Sequence, residues 1–341
     1  MHLLKALFAL TAATTLTACG GGGGDTPAPP PPPLEVGTNG TLQASVAAAT
    51  YADSRRANAF SQLNAVRLGS GAGLLAQSTT LDKSASDHAA YLTTNGFASA
   101  DSAHDETSGL PGYTGINPFS RMRADGYSYS YATEVIGDIG STSATGDCVG
   151  DLLDTVYHAA SMLSRITDVG FGSGAAAGMC TIDMASPYVD GASKQIPPSG
   201  AIVAYPYAGS TVAHGTFHVS SESPRVSTTL LPDANAGTPI VVGFRNQDVV
   251  AGGAVTITQF TIATASGTLL PAVILGAPAS GSDAAIAGAD VDTDAALDAD
   301  FAVLVPKSPL PAGTYTVTLH ATIGGGRALA LTAWSFSVSA L

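Results

Sequence analysis

The apolar residues of this chain change period once, and the change falls in a stretch at 186–199 that holds Pro187, Pro197 and Pro198. Upstream the spacing is helical. Ala59, Leu63 and Val66 predict a helix over 57–68. Leu81, Ala85, His88, Ala89 and Leu92 predict a second over 79–95, closed by Gly96. A short helix is expected over 118–124, stopped at Gly126, and another over 148–158, while 129–136, 168–172 and 178–185 read as strands. Downstream the period is two: 240–245, 255–263, 269–275, 301–306, 314–322 and 328–338 alternate or run apolar between glycine and proline turns. With 341 residues there is room for two domains. The expectation is an α+β segment at 48–190, then an all-β, antiparallel, immunoglobulin-like sandwich at 198–341 with Trp334 in its core.

The first residues predict export. Lys5 precedes an apolar run at 6–18, too short to span a bilayer, which ends Leu16-Thr17-Ala18-Cys19. This resembles a bacterial lipobox, and the resemblance implies a signal peptide at 1–18 and lipidation of Cys19. Gly20 after the cysteine implies the outer membrane as destination. A glycine run at 20–24 and a proline run at 29–33 then form a flexible and stiff tether, expected to extend over 19–47. Contact with the membrane is expected through this anchor alone. Lys and Arg number 13 against 26 Asp and Glu, so no basic surface is available for nucleic acid. In an exported chain the remaining cysteines, Cys148 and Cys180, are expected to pair as a disulfide.

A family resemblance lies between residues 55 and 185. Leu63-Asn64-x-x-Arg67, Gly73-Leu74 and Leu81-x-x-x-Ala85-x-x-His88-Ala89 are followed by His104, Arg121-x-x-x-Asp125-Gly126-Tyr127, Glu134, Tyr157-His158 and Val169-Gly170-Phe171-Gly172. In this order they resemble a bacterial domain of the CAP superfamily (cysteine-rich secretory proteins, antigen 5, plant pathogenesis-related 1). The resemblance implies a three-layer α–β–α sandwich with a cavity lined by His104, Glu134 and His158. Two imidazoles and a carboxylate would accept zinc or another divalent cation. Thr133-Glu134-Val135 departs from the family's Gly-Glu-Asn, and Ala159 replaces the arginine usual after the second histidine. Asp154, one turn before His158, is the candidate for the family's second cavity acid.

Each candidate also has a bland reading. His88 lies on the apolar stripe of its helix and reads as a satisfied core histidine. His104, in a polar loop, could be merely solvated, and His158 could be a helix-end residue favoured by the dipole. No Gly-x-Ser-x-Gly is present, so no catalytic serine is indicated. The acidic stretch 283–300 reads as a solvated loop; it fails as an EF-hand because Ala295 and Phe301 stand where Gly and Glu are required. The reading that results is a non-catalytic envelope module binding a lipid, a peptide or a divalent metal. A metal-assisted hydrolase using the same three residues on peptide or cell-wall material, and a purely structural adhesion module, are the alternatives.

Overall fold

The structure is a computed structural model that describes residues 41–96, 103–138, 147–173, 179–188, 195–231, 235–245, 255–279, 285–292, 297–323, 327–329 and 332–340. The signal peptide, Cys19 and the Gly/Pro runs lie outside the described residues.

Helix α1 (Ser54–Ser70) opens behind Asp53, whose carboxylate accepts from the Arg55 amide, and ends at Gly71 in the left-handed region, φ 82°. Strand β1 (Ala76–Gln77) leads to α2 (Thr79–Asn95), capped by Ser78. After it come α3 (Pro118–Ala124), β2 (Tyr129–Asp138), α4 (Cys148–Leu153), α5 (Tyr157–Met162), β3 (Asp168–Ser173) and β4 (Met179–Pro187). The bounds of α2 and α3 agree with the sequence expectation. The single helix expected at 148–158 is instead two, interrupted at Asp154–Val156. The disulfide is formed, joining Cys148 at the start of α4 to Cys180 in β4. Closing a loop of this length contributes about 3–4 kcal/mol on the chain-entropy account.

The four strands make one sheet in the order β1-β3-β4-β2, with β1 parallel to β3 and the other pairs antiparallel. Strand alternation then sorts the side chains. Val135, Val169, Phe171, Ile182 and Met184 enter one apolar cluster with Leu63 of α1, Leu152 of α4 and Ala160 of α5. Ala185 enters a second cluster with Leu81 of α2 and Met122 of α3. The result is three layers: α1, α4 and α5 on one face, α2 and α3 on the other. Gly170 and Gly172 show why α2 sits so close. A Cβ at Gly170 would lie 2.1 Å from the Leu81 carbonyl carbon, and one at Gly172 would lie 2.1 Å from the Ala85 carbonyl oxygen.

Two buried side chains fasten α1 to the segments packed beside it. Asn64 accepts from the Leu75 amide at 2.7 Å and donates to its carbonyl at 3.1 Å. Arg67, fully buried, donates to the carbonyls of Ala72, Gly73, Met162, Ser164 and Ile166 at 2.6–3.4 Å.

The rest of the chain is β-rich, as expected. One sheet runs Asp290–Val291, Ala272–Gly276, Phe301–Pro306, Ile240–Phe244, Ile202–Tyr205; the other runs Thr256–Thr264, Gly313–Ile323, Ala333–Val338, Thr211–Val212, with Arg327–Ala328 beside Gly313–Ile323. Pairing is antiparallel except at two edges, where 211–212 and 290–291 join in parallel. Trp334 is buried and its indole N–H donates to the Pro206 carbonyl at 2.7 Å.

The α+β and β-rich parts share one apolar core: Leu63 and Leu152 belong to the same cluster as Val203, Ile240 and Val303. The acidic stretch is not simply solvated. Asp298 accepts from the Tyr131 hydroxyl at 2.6 Å, and the buried Asp300 pairs with Arg165 at 3.0 Å, so its acids hold the α+β part. Residues 41 and 43 are tied to the fold: Thr41 exchanges backbone bonds with Ile196, and the Gln43 side chain donates to the Leu74 and Thr167 carbonyls.

Candidate functional site

A cluster of charged side chains sits between α2, α3 and the sheet. Its parts arrive through local rules. In α2, His88 lies one turn beyond Ala85 on the face that meets the sheet. In α3, Asn117 and Ser120 form a reciprocal capping box around Pro118, which fixes the helix start and with it Arg121. In β2, Glu134 has the opposite parity to Val135, and its register partner across the sheet is Asp183.

Arg121 is fully buried and holds the cluster together. One guanidinium nitrogen donates to Glu134 Oε2 at 2.7 Å, another donates to the His104 carbonyl at 3.0 Å, and Nε lies 3.8 Å from Glu106 Oε1. Glu106 Oε2 accepts from the amides of Thr114 at 2.6 Å and Gly115 at 3.3 Å, and Oε1 meets His88 Nδ1 at 2.9 Å. His88 Nε2 meets the Ala103 carbonyl at 2.8 Å, so both ring nitrogens have partners and the residue is the satisfied core histidine expected. Glu134 Oε1 accepts from His104 Nδ1 at 2.8 Å.

Burial by itself would raise the Glu134 carboxyl, but the His104 hydrogen bond and the charges of Arg121, His88 and His104 outweigh it and hold the group below the usual range. A carboxylate can only accept, so His104 Nδ1 carries the proton of their bond. Asp183 goes the other way: burial first, then the adjacent Glu134 charge and their mutual hydrogen bond, push it well above its ordinary value. As two carboxylates the pair would have no proton between them; with the proton on Asp183, its O–H is the donor to Glu134. Only His104 reaches solvent, its side chain 32% exposed against 0% for His88, Glu106, Arg121 and Glu134. The cluster therefore offers the outside a single imidazole. Glu134 fixes its Nδ1–H, which leaves Nε2 for a ligand.

The structure joins His104 and Glu134, two of the three expected cavity residues, and places the third elsewhere. Glu134 rises from the sheet face toward α2 and α3, while His158 belongs to α5 on the opposite layer. There His158 Nδ1 lies 3.0 Å from Glu222 Oε1, a residue of the β-rich part. Glu222 also accepts from the Val156 and Tyr157 amides at 2.5 and 3.3 Å, which caps α5 and explains the break after α4. Asp154 does not join them either; it faces Tyr205 at the junction between the two parts. Among the described residues no three His, Cys, Asp or Glu side chains are placed to hold one metal ion, so the zinc set His104, Glu134, His158 does not assemble here.

Sequence reasoning missed Glu106, Arg121 and Asp183 as members of the cluster. Asp183 carried a usable signal: a carboxyl between Ile182 and Met184 in an apolar strand, on the face opposite to both.

Residues 60–180 match the family model described as CAP, the cysteine-rich secretory protein family. Among solved structures, an extracellular protein containing an SCP domain from Bacillus anthracis str. Ames aligns at 19% identity and a TM-score of 0.33, over 39% of this chain and 40% of that one. The methionine-rich copper resistance protein PcoC from Escherichia coli aligns at 16% identity and a TM-score of 0.23, over 40% of this chain and 93% of its own. The alignment with the Bacillus protein thus spans well under half of that protein's length. No curated protein matches the chain.

Proposed function

With residues 60–180 a CAP domain, we propose that the chain is an exported, lipid-anchored binding module that recognises a lipid or peptide of the cell envelope through His104, without catalysis. The observation that carries this reading is the design of the cluster: an arginine and two glutamates, all fully buried, serve to orient one partly exposed imidazole. No serine, threonine or cysteine is hydrogen-bonded to that imidazole among the described residues. With Nδ1 held by Glu134, Nε2 is the ring nitrogen left to meet a polar group of the ligand.

The test is equilibrium binding of fluorescent peptides and of phosphatidylglycerol or phosphatidylethanolamine vesicles to the intact chain. Saturable binding is expected, weakened tenfold or more in His104→Ala with an unchanged circular dichroism spectrum. Binding indifferent to His104→Ala would end the proposal. So would stoichiometric metal together with peptide cleavage that His104→Ala abolishes, which would make the protein a hydrolase.

The anchor rests on the lipobox-like residues before Cys19, and the Cys148–Cys180 disulfide supports passage through an oxidising compartment. No helix among the described residues is long and apolar enough to cross a membrane. Cys19→Ala is expected to move the protein from the detergent phase to the aqueous phase of a Triton X-114 partition. Aqueous partition of the unaltered protein would remove the anchor.

A further inference from the structure

A pocket far from His104 in the layering lies where α1 and α4 meet the β-rich part. Its volume is about 150 Å³, and its wall includes Gln62, Val66, Asp147, Asp154, Tyr205 and Tyr207. A cavity of this size holds about six non-hydrogen atoms, the size of benzene. Its chemistry is one-sided. Asp154 lines it with only 9% of its surface exposed, and its carboxyl group has no hydrogen-bond or ion-pair partner among the described residues. Asp147 lines it too, though that carboxylate is already used: Oδ1 accepts from the Gly150 amide at 3.0 Å and Oδ2 from the Gln62 side chain at 2.7 Å. Asp151, on the same helix, adds its field at Asp154. No lysine or arginine pairs with any of the three among the described residues. A buried carboxyl group without a partner costs several kcal/mol if ionised, so a ligand that supplies the missing charge is favoured there.

We propose that this pocket binds one small organic cation, an alkylammonium group, with Asp154 as its counter-charge and the Tyr205 and Tyr207 rings as its walls. The chemistry of the lining selects this class. A bare metal ion needs three or more ligands converging on one point, and no such group exists among the described residues. An alkylammonium needs one close carboxylate, a field of the right sign, and aromatic and aliphatic walls for its stem, which Val66, Tyr205 and Tyr207 provide. The anionic surroundings exclude acids, and an uncharged apolar ligand of the same size would leave the Asp154 carboxyl without a partner.

The protonation of the pocket fits. Burial, then the charges of Asp151 and Asp147, push the Asp154 carboxyl up to about 8. The titratable groups that face it are Asp147, the N-cap of α4, Asp151 within α4, and Tyr205 and Tyr207 from the β-rich part; the Tyr205 hydroxyl is itself pushed up by burial and by Asp154. At pH 7 Asp154 is thus protonated, and an arriving cation must displace that proton. Binding is therefore weaker at pH 7 than at pH 9, by about tenfold.

Titration calorimetry of the intact chain with n-butylammonium tests this. One saturable site is expected, with close to one proton released per cation at pH 7, read from the dependence of the heat on buffer ionisation enthalpy, and almost none at pH 9. Asp154→Asn, which has the shape of the protonated acid and so keeps the fold, should weaken binding at pH 9 tenfold or more; Tyr205→Phe should weaken it severalfold. Competition by the peptide Gly-Lys-Gly would make the physiological ligand a lysine side chain, and its failure beside n-butylammonium binding would make it a free amine. The proposal is overturned by absence of saturable heat up to 50 mM, by n-butanol binding as well as n-butylammonium, by Asp154→Asn binding as the unaltered protein does, or by zinc or calcium filling the site in its place.

Discussion

Arg121→Met is expected to lower the unfolding free energy at pH 7 by about 3–5 kcal/mol, because it removes a cation from a pocket that keeps its anions. Methionine fills most of the arginine's volume, so the loss is electrostatic rather than a cavity effect. Glu134 Oε2 and the His104 carbonyl lose their donors, and Glu106 loses its nearby positive charge. The pH dependence identifies the cause. In the unaltered protein Glu134 is held below the usual carboxylate range, so it contributes stability that is present above its unfolded value near 4.3 and is lost as pH falls below it. Without Arg121 that depression shrinks, so less stability is gained as pH rises through the same value. The two stability curves, measured by urea denaturation from pH 3 to pH 8, should therefore converge at the acid end and part at neutrality. Glu134→Gln added to Arg121→Met should recover part of the loss. A difference that stays constant across pH would show that Arg121 matters for its packing and not its charge.

Arg67→Met is expected to cost about as much, for a different reason. This guanidinium has no carboxylate among its partners; it ties five backbone carbonyls from two segments, Ala72–Gly73 and 162–166. Burial lowers its pKa to about 9, which leaves it protonated at neutral pH with its donors engaged. Removing it leaves those carbonyls unpaired in the interior, each at about 1–3 kcal/mol before relaxation and water entry recover part of it. A net loss of about 3–5 kcal/mol corresponds to a melting temperature lower by roughly 4–7 °C for a chain of this size. Arg67→Lys should fare only moderately better, because an ammonium has three donors and no planar fork to span two loops. A change below about 1 kcal/mol in Arg67→Met would mean that the loop after α1 is held by Asn64 and the core alone.

How far the sequence can be read depends on the range of each signal. The ends of α2 and α3 are legible because Ser78, Gly96, Asn117 and Pro118 act within a few residues. The sheet strands β2, β3 and β4 are legible from alternation, and the family resemblance places His104 with Glu134. The break between α4 and α5 is not legible, since the group that caps α5 is Glu222, 66 residues past Val156. The same residue takes His158 out of the expected trio. Arg121 is visible only as a motif letter, because nothing local says that a helix arginine faces inward. Asp154 stands one turn from His158 on a continuous helix, which suggests a shared cavity, but the break between α4 and α5 turns the two onto different neighbours.

The clasp at the start of the described chain has a mechanical meaning. Thr41 pairs through its backbone with Ile196, and the Gln43 amide donates to the Gln195 side chain at 2.7 Å. Residues 195 and 196 belong to the linker between the α+β and β-rich parts. Tension on the residues before 41 would thus enter the molecule at its seam, loading both halves together and not peeling one end of either.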